Sequence, residues 1–460
     1  MKRTLTRSIL GLIMAIAFVG GLGLFTFRIS TNANAWVQQN YNGHMSGSSG
    51  LEQAGIIYDR NGNILAHTVD GKRVYSDDYE TRLATLHVVG DNSLNISTAV
   101  QSIYRDDLTG FNYVWGLGLP SSLKSSKDIT LTIDSQACKT AYEALGDYNG
   151  AVVVYNYKTG EVLCSVSKAS YDPQDPPEIT EENEEEYAGV YVDRVISGLY
   201  PPGSTFKIIT SAAAIENMPD IYNRTFTCNG SVNIGGQEIS CMSTHGDIGF
   251  EDALAHSCNV VFAEIADELG NDIMQKTAEE MGFTKSYSVG DIPTARGEYD
   301  LLGASQNERA WSGIGQFTDL ANPMQMAIMC GAIANGGDAN IPFEVKTISS
   351  FFGLAGLNNT AKTESLIKSS TANQLNDLMR NNVTSYYGDD MFETLSVCAK
   401  TGTAEVGDGK EPHAWMVGYS QDTDAPLAFA VIVENSGYGY SVAGPVAVSA
   451  MEACANVLRN

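Results

Sequence analysis

A serine hydroxyl and a lysine amine stand three residues apart in Tyr200-Pro201-Pro202-Gly203-Ser204-Thr205-Phe206-Lys207. On a helix that spacing puts both side chains on one face. The Pro-Pro-Gly before Ser204 blocks a helix from running through, so the pattern predicts a helix that starts at Ser204 and continues through Ser211-Ala212-Ala213-Ala214. The hydroxyl then lies at a positive helix end, whose free backbone N–H groups favour developing negative charge. A neutral lysine amine held against the hydroxyl can serve as its base if burial and neighbouring cations depress the lysine pKa. The chemistry on offer is nucleophilic attack through a covalent serine intermediate.

Three other segments have the same S-x-x-K form: Ser121-Ser122-Leu123-Lys124, Ser165-Val166-Ser167-Lys168 and Ser365-Leu366-Ile367-Lys368. Ser204 is set apart from them by two later segments in a fixed order, Ser257-Cys258-Asn259 and then Lys400-Thr401-Gly402-Thr403. A second Lys-Thr-Gly, at Lys158, precedes the serine between two β-rich runs and reads as a hairpin turn. The ordered set S-x-x-K, S-x-N and K-T-G resembles that of the penicillin-recognising serine transpeptidases and β-lactamases.

Within that group the chain most resembles the class B penicillin-binding proteins, membrane-anchored D,D-transpeptidases. Residues 55–66, with Tyr58-Asp59-Arg60-Asn61-Gly62, look like the motif that opens their extracytoplasmic part. Residues 200–207, 256–262, 313–316, 322–327 and 399–405 look like their transpeptidase domain. Ala54 departs from the pattern, which usually has arginine there. The resemblance implies Ser204 as nucleophile and Lys207 as base, with Ser257 relaying a proton to the leaving amine and Asn259 holding the substrate's backbone amide. Lys400, Thr401 and Thr403 of the Lys400-Thr401-Gly402-Thr403 run would bind the terminal carboxylate. Lys400 would also depress Lys207 by like charge. The backbone N–H groups of Ser204 and Thr403 would form the oxyanion hole. The implied partners are peptidoglycan stem peptides, β-lactam antibiotics, the cytoplasmic membrane and a membrane glycan polymerase of the shape, elongation, division or sporulation type. Two alternatives remain, a membrane-anchored β-lactamase and a penicillin-sensing receptor. A β-lactamase normally lacks an anchor and membrane-proximal module, and no Glu-x-x-Leu-Asn run lies between Asn259 and Lys400. A receptor is expected to carry further spans or a cytoplasmic signalling domain.

The elements that must position these residues divide the chain into four. Lys2, Arg3 and Arg7 precede 19 uncharged residues, 9–27, close to the roughly 20 that a bilayer-spanning helix needs. Positive charge ahead of the span places the body outside the membrane. The rival is a cleaved signal peptide, suggested by Ala33-Asn34-Ala35, but signal-peptide apolar cores are shorter. Residues 1–30 are thus read as cytoplasmic tail and anchor, and the Asn-, Gly- and Ser-rich residues 31–50 as a flexible linker. Residues 51–147 form a small pedestal without a catalytic set, opened by a β-turn at Asp59-Arg60-Asn61-Gly62 and including a helix over 135–145. Residues 148–460 form the transpeptidase domain, an α+β fold with helices packed on a mainly antiparallel sheet. Its expected parts are a strand carrying Lys400, a helix over 250–270 and a covering helix over 445–458.

A formal net charge of −26 argues against a nucleic-acid partner. Eight acidic residues between Asp172 and Glu186, with no basic one, read as a solvated loop. Among the eight cysteines, Cys228 and Cys241 are close enough in sequence for a local bridge, which spacing alone leaves open. His245 and His256 show no metal-ligand spacing, so neither a metal site nor any cofactor is expected.

Overall fold

The computed structural model describes residues 2–37, 50–110, 126–349, 361–407 and 409–460. Its centre is a five-stranded antiparallel sheet in the order Val397–Ala404, His413–Ser420, Leu427–Val433, Gly150–Asn156, Val162–Lys168. Leu427–Val433 and Gly150–Asn156 are buried at every position. Alternation is lost because both faces are covered: Pro323–Ala334 packs on one face, and Gly439–Arg459 with Ser135–Ala144 on the other. Gly160, at φ +85°, closes the turn at Lys158-Thr159-Gly160 between the last two strands, as expected from the sequence.

The Lys400 strand lies at the sheet edge, with Lys400 opposite Val417 and Gly402 opposite Trp415. Its free side faces the turn that carries Ser204. The covering helix begins at Gly439, before the expected Pro445, because the proline is accommodated inside it.

The second sheet holds Ile57–Tyr58, Ile64–Val69, Lys72–Tyr75 and Ile129–Leu131, joined at its edge by Val345–Ile348 from far along the chain. Asp59 organises the turn: it is fully buried and accepts from the N–H groups of Asn61 and Asn63, both at 2.9 Å, and from the Ser135 hydroxyl at 2.7 Å. Beside Ala54, the buried Arg73 donates to the Gly55 carbonyl at 2.8 Å and to Gln101 at 2.6 Å. Residues 51–147 are tied to the rest of the chain at two places. The expected helix appears as Ser135–Ala144 but packs against the covering helix and the main sheet, while a late strand completes the pedestal sheet. Tertiary packing also gives the acidic segment a partner, since Arg82 clamps Asp172 through two 2.7 Å bonds.

The N-terminal helix Lys2–Val37 contains Gly11–Arg28, long and apolar enough to cross a membrane. It runs past the expected linker start at 31, because no proline or glycine interrupts residues 24–37. The rest of the expected linker, 38–49, lies outside the described residues. Gly439–Arg459 is also long and apolar, but it is a core helix packed on the sheet.

Candidate active site

Ser204 lies in a 3-10 turn, Gly203–Phe206, and the α-helix proper is Lys207–Asn217. The expected α-helical start at Ser204 is thus a tighter turn, and residues i and i+3 eclipse in that geometry, which keeps Ser204 and Lys207 on one side. The turn is wedged against the edge strand. A Cβ on Gly203 would sit 2.5 Å from the Thr403 carbonyl oxygen, and one on Gly402 would sit 2.9 Å from that of Pro202. Gly203 also takes φ +52°. Further anchors are Trp415 Nε1–H donating to Pro201 O at 2.9 Å and Gly203 N–H donating to Gly315 O at 2.9 Å.

The helix expected over 250–270 is broken at the second motif, into Phe250–Ala255 and Asn259–Glu280, and the second part is interrupted at the expected end by Gly270, at φ +81°. Ser257 occupies the left-handed region, φ +56°, and Cys258 takes the N-cap position without a side-chain cap bond. Ser257 and Asn259 are therefore not capping residues; both turn toward Lys207. Lys207 Nζ lies 2.7 Å from Ser257 O, 2.7 Å from Asn259 Oδ1 and 3.2 Å from Ser257 Oγ. Lys400 Nζ reaches the same hydroxyl from the other side at 3.1 Å and donates to Thr401 O at 2.8 Å. Ser257 Oγ thus bridges two lysine amines, both on fully buried side chains. The half-buried Ser204 hydroxyl has no hydrogen-bond partner among the described residues.

Burial lowers Lys207 to about 7. Of the two expected causes, burial and repulsion from Lys400, burial is the one that acts at Lys207, and the repulsion is felt by Lys400, which burial and then Lys207 hold well below the usual lysine range. A site with two depressed amines in hydrogen-bond contact with one hydroxyl can pass a proton between them.

Tyr387 was not expected from the sequence. It ends a π-helical turn, Val383–Tyr387, that continues the helix Ser369–Asn382. Its hydroxyl lies 3.0 Å from Thr401 Oγ1 and accepts from Thr401 N–H at 3.0 Å. Gly439 N–H, opening the 21-residue covering helix, lies 3.3 Å from Thr403 Oγ1. Tyrosines paired at Tyr386-Tyr387 are the sole hint in the chain. The other S-x-x-K segments are not built this way. Ser165 and Lys168 sit on a strand, where a three-residue spacing puts them on opposite faces. Ser365 and Lys368 precede the helix Ser369–Asn382, and Lys368 Nζ donates to Glu216 at 2.6 Å instead of meeting the serine. Residues 121–124 lie outside the described residues.

All eight cysteines are free, so Cys228 and Cys241 are not bridged. The sequence showed no metal-ligand spacing, but in the fold His245 converges with Cys228, Cys241 and Cys258 beside Asn259.

Residues 150–452 match the family model for the penicillin-binding protein transpeptidase domain. The chain is 28% identical over 426 residues to the peptidoglycan D,D-transpeptidase PbpA of Mycolicibacterium smegmatis, covering 83% of this chain and 84% of that one. Its structure resembles the D,D-transpeptidase domain of a peptidoglycan glycosyltransferase from Eggerthella lenta, with TM-score 0.76, 27% identity and coverage of 87% and 98%. The ceftriaxone acyl-enzyme of penicillin-binding protein A from M. tuberculosis shares the fold, with TM-score 0.77, 24% identity and coverage of 88% and 99%. With a match of that extent over the sheet, the serine turn and both later motifs, the chain belongs to the penicillin-binding protein transpeptidase family.

Proposed function

We propose that this protein is a membrane-anchored peptidoglycan D,D-transpeptidase that works through a Ser204 acyl-enzyme and is acylated at the same residue by β-lactams. The observation that carries the reading is the Lys207–Ser257–Lys400 chain of hydrogen bonds beside an unengaged Ser204 hydroxyl. With Lys207 near 7, a substantial fraction of the amine is neutral at physiological pH and can take the Ser204 proton as the oxygen attacks the carbonyl between two terminal D-alanines. The oxyanion then faces the backbone N–H groups of Ser204 and Thr403, each donor worth about 3 kcal/mol. Collapse breaks the C–N bond, and the leaving D-alanine amine takes its proton from Lys207 through Ser257. A stem-peptide amine attacks the ester by the reverse route, returning the proton to Ser204 and releasing the cross-linked peptide. Asn259 holds the donor's backbone amide.

Lys400, Thr401 and the Thr403 hydroxyl, close to the start of the covering helix, hold the terminal carboxylate in the Lys400-Thr401-Gly402-Thr403 groove. Residues 1–30 serve as tail and single-pass anchor, with the catalytic domain of 148–460 outside a bacterial cell membrane and 51–147 as its pedestal. A membrane glycan polymerase supplies the strands to be cross-linked, since no second catalytic set lies in this chain's described residues.

The test is intact-mass tracking of the full chain with benzylpenicillin, followed by assay with a stem-peptide donor and an amine acceptor. A single adduct on Ser204 that persists for hours, with acceptor-dependent release of D-alanine, is the expected result. Rapid adduct loss with excess hydrolysed drug would overturn it in favour of a β-lactamase. Stable acylation without any peptide turnover would overturn it in favour of a receptor.

A further inference from the structure

Four ligating side chains meet where the second motif joins its helix. Cys228 ends the strand Thr225–Cys228, Cys241 comes just after Gln237–Ser240, His245 precedes Gly246–Gly249, and Cys258 lies between Ser257 and Asn259. Their Sγ and imidazole nitrogen atoms all lie within 4.8 Å of one another. Cys241 Sγ is 3.9 Å from Cys258 Sγ and 3.6 Å from His245 Nδ1. A tetrahedral zinc ion, with bonds of about 2.3 Å to sulfur and about 2.0 Å to nitrogen, requires edges of roughly 3.8 Å and 3.5 Å. A disulfide requires sulfurs about 2.05 Å apart. The surroundings suit a metal. Ser243 Oγ lies 3.0 Å from His245 Nε2, where an Nε2–H donating to the hydroxyl leaves the Nδ1 lone pair toward the sulfurs, and Asn259 N–H donates to Cys241 Sγ at 3.3 Å.

A second observation is the thinness of what these residues hold. The two hairpin sheets between Thr225 and Gly249 bury one residue per strand, Cys228, Ile234, Ile239 and Ile248. So little apolar burial does not fix a module of this size, and a structural metal is one of the devices that does.

We propose that Cys228, Cys241, His245 and Cys258 form a closed Cys3His site for one zinc ion, which clamps the hairpin module to the Ser257-Cys258-Asn259 turn. Three thiolates and a neutral imidazole select a soft, four-coordinate ion with no open position, so the role is structural. Binding releases three thiol protons to solvent. Because Cys258 is bonded to Ser257 and Asn259, the ion fixes the two residues that hold Lys207, and it acts as a positioning site. The ligand set stands independently of the reaction proposed above; only the acylation readout rests on it.

The test uses the full chain in detergent, purified reduced and without chelator, with zinc counted by elemental mass spectrometry. One zinc per chain is expected. Cys228→Ser and His245→Ala should fall below about a fifth of that, while Cys330→Ser, buried elsewhere, should keep it. Should the first two fold poorly, His245→Cys is expected to retain the metal with four sulfurs, and cobalt added to chelated wild-type protein should give thiolate charge-transfer and tetrahedral ligand-field bands. Chelation should slow acylation by a fluorescent penicillin about 10-fold or more, with zinc restoring it. Metal-free wild-type protein without the cobalt bands, or a Cys241–Cys258 disulfide as the sole isolated form, would overturn the site. Unchanged acylation after complete zinc removal would overturn the clamp.

Discussion

The site draws on two regions built in opposite ways. The serine turn and the Lys400 strand rest on a sheet whose central strands are buried at every position, and Gly203 and Gly402 let two backbones touch. The turn at Ser257 rests on its own helix from one side and on the thinly packed hairpins of 225–249 from the other. Yet the two regions meet at one hydroxyl, Ser257 Oγ, between two buried amines. Positional accuracy therefore comes from packing in the first region. In the second it must come from specific bonds: Lys207 to Ser257 and Asn259, Asn259 to Cys241, and the sulfur–imidazole cluster. The first region is expected to resist perturbation thermodynamically and to fail only when chemistry is removed. The second is expected to lose geometry before it loses the fold.

The largest break in that comparison is Ser204→Ala, which should abolish β-lactam labelling while shifting the unfolding midpoint little, because one small hydroxyl without a partner is lost. Labelling that survives would remove the serine from the mechanism. Lys207→Gln should slow acylation by about 10²–10⁴-fold. In the wild type, burial lowers Lys207 to about 7, so the amine is charged below that pH and neutral above it. The acylation rate should then rise through pH 7 and level off; a flat profile from pH 5 to 9 would count against lysine as base. The same shift carries a stability slope. Between about 7 and the ordinary lysine value of 10.5 the unfolded chain holds a proton that the folded chain does not, so stability should rise with pH across that window.

A paired test separates the regions by stability. Ile432→Ala, in the buried central strand, should cost about 2–5 kcal/mol, with little change in the acylation rate of protein that remains folded. Ile239→Ala, in a hairpin with exposed neighbours, should fall at or below the low end of that range yet slow acylation. Equal kinetic effects would mean that the hairpins do not position Ser257. The smallest effect is assigned to Arg224, whose exposed guanidinium contacts Glu268 at 2.7 Å and ties the hairpins to the Asn259 helix. Arg224→Ala should cost about 0–1 kcal/mol and leave acylation unchanged, as measured by urea titration and stopped-flow labelling.

Local order determined much of this protein. The serine and lysine three apart, the Pro-Pro-Gly that ends the preceding chain, the apolar 9–27 run, the strands around Lys158-Thr159-Gly160 and the order of the three motifs are properties of neighbours along the chain, and a sequence displays neighbours directly. The metal-ligand pattern was hidden because Cys228, Cys241, His245 and Cys258 are spaced C-x12-C-x3-H-x12-C, distances set by two hairpins and a broken helix instead of one compact loop. Tyr387 was equally hidden, since its place against Thr401 depends on a π-turn stabilised from outside its own segment. The ties between residues 51–147 and the rest were hidden for the same reason: Val345–Ile348 pairs with Ile129–Leu131 across more than 200 residues, and Ser135–Ala144 packs on the main sheet and the covering helix. Tertiary structure alone decided which force depresses Lys207. Burial and like charge could both be anticipated from two lysines in motifs, but which of them dominates depends on what surrounds the amine on every side, and only the packed fold specifies that.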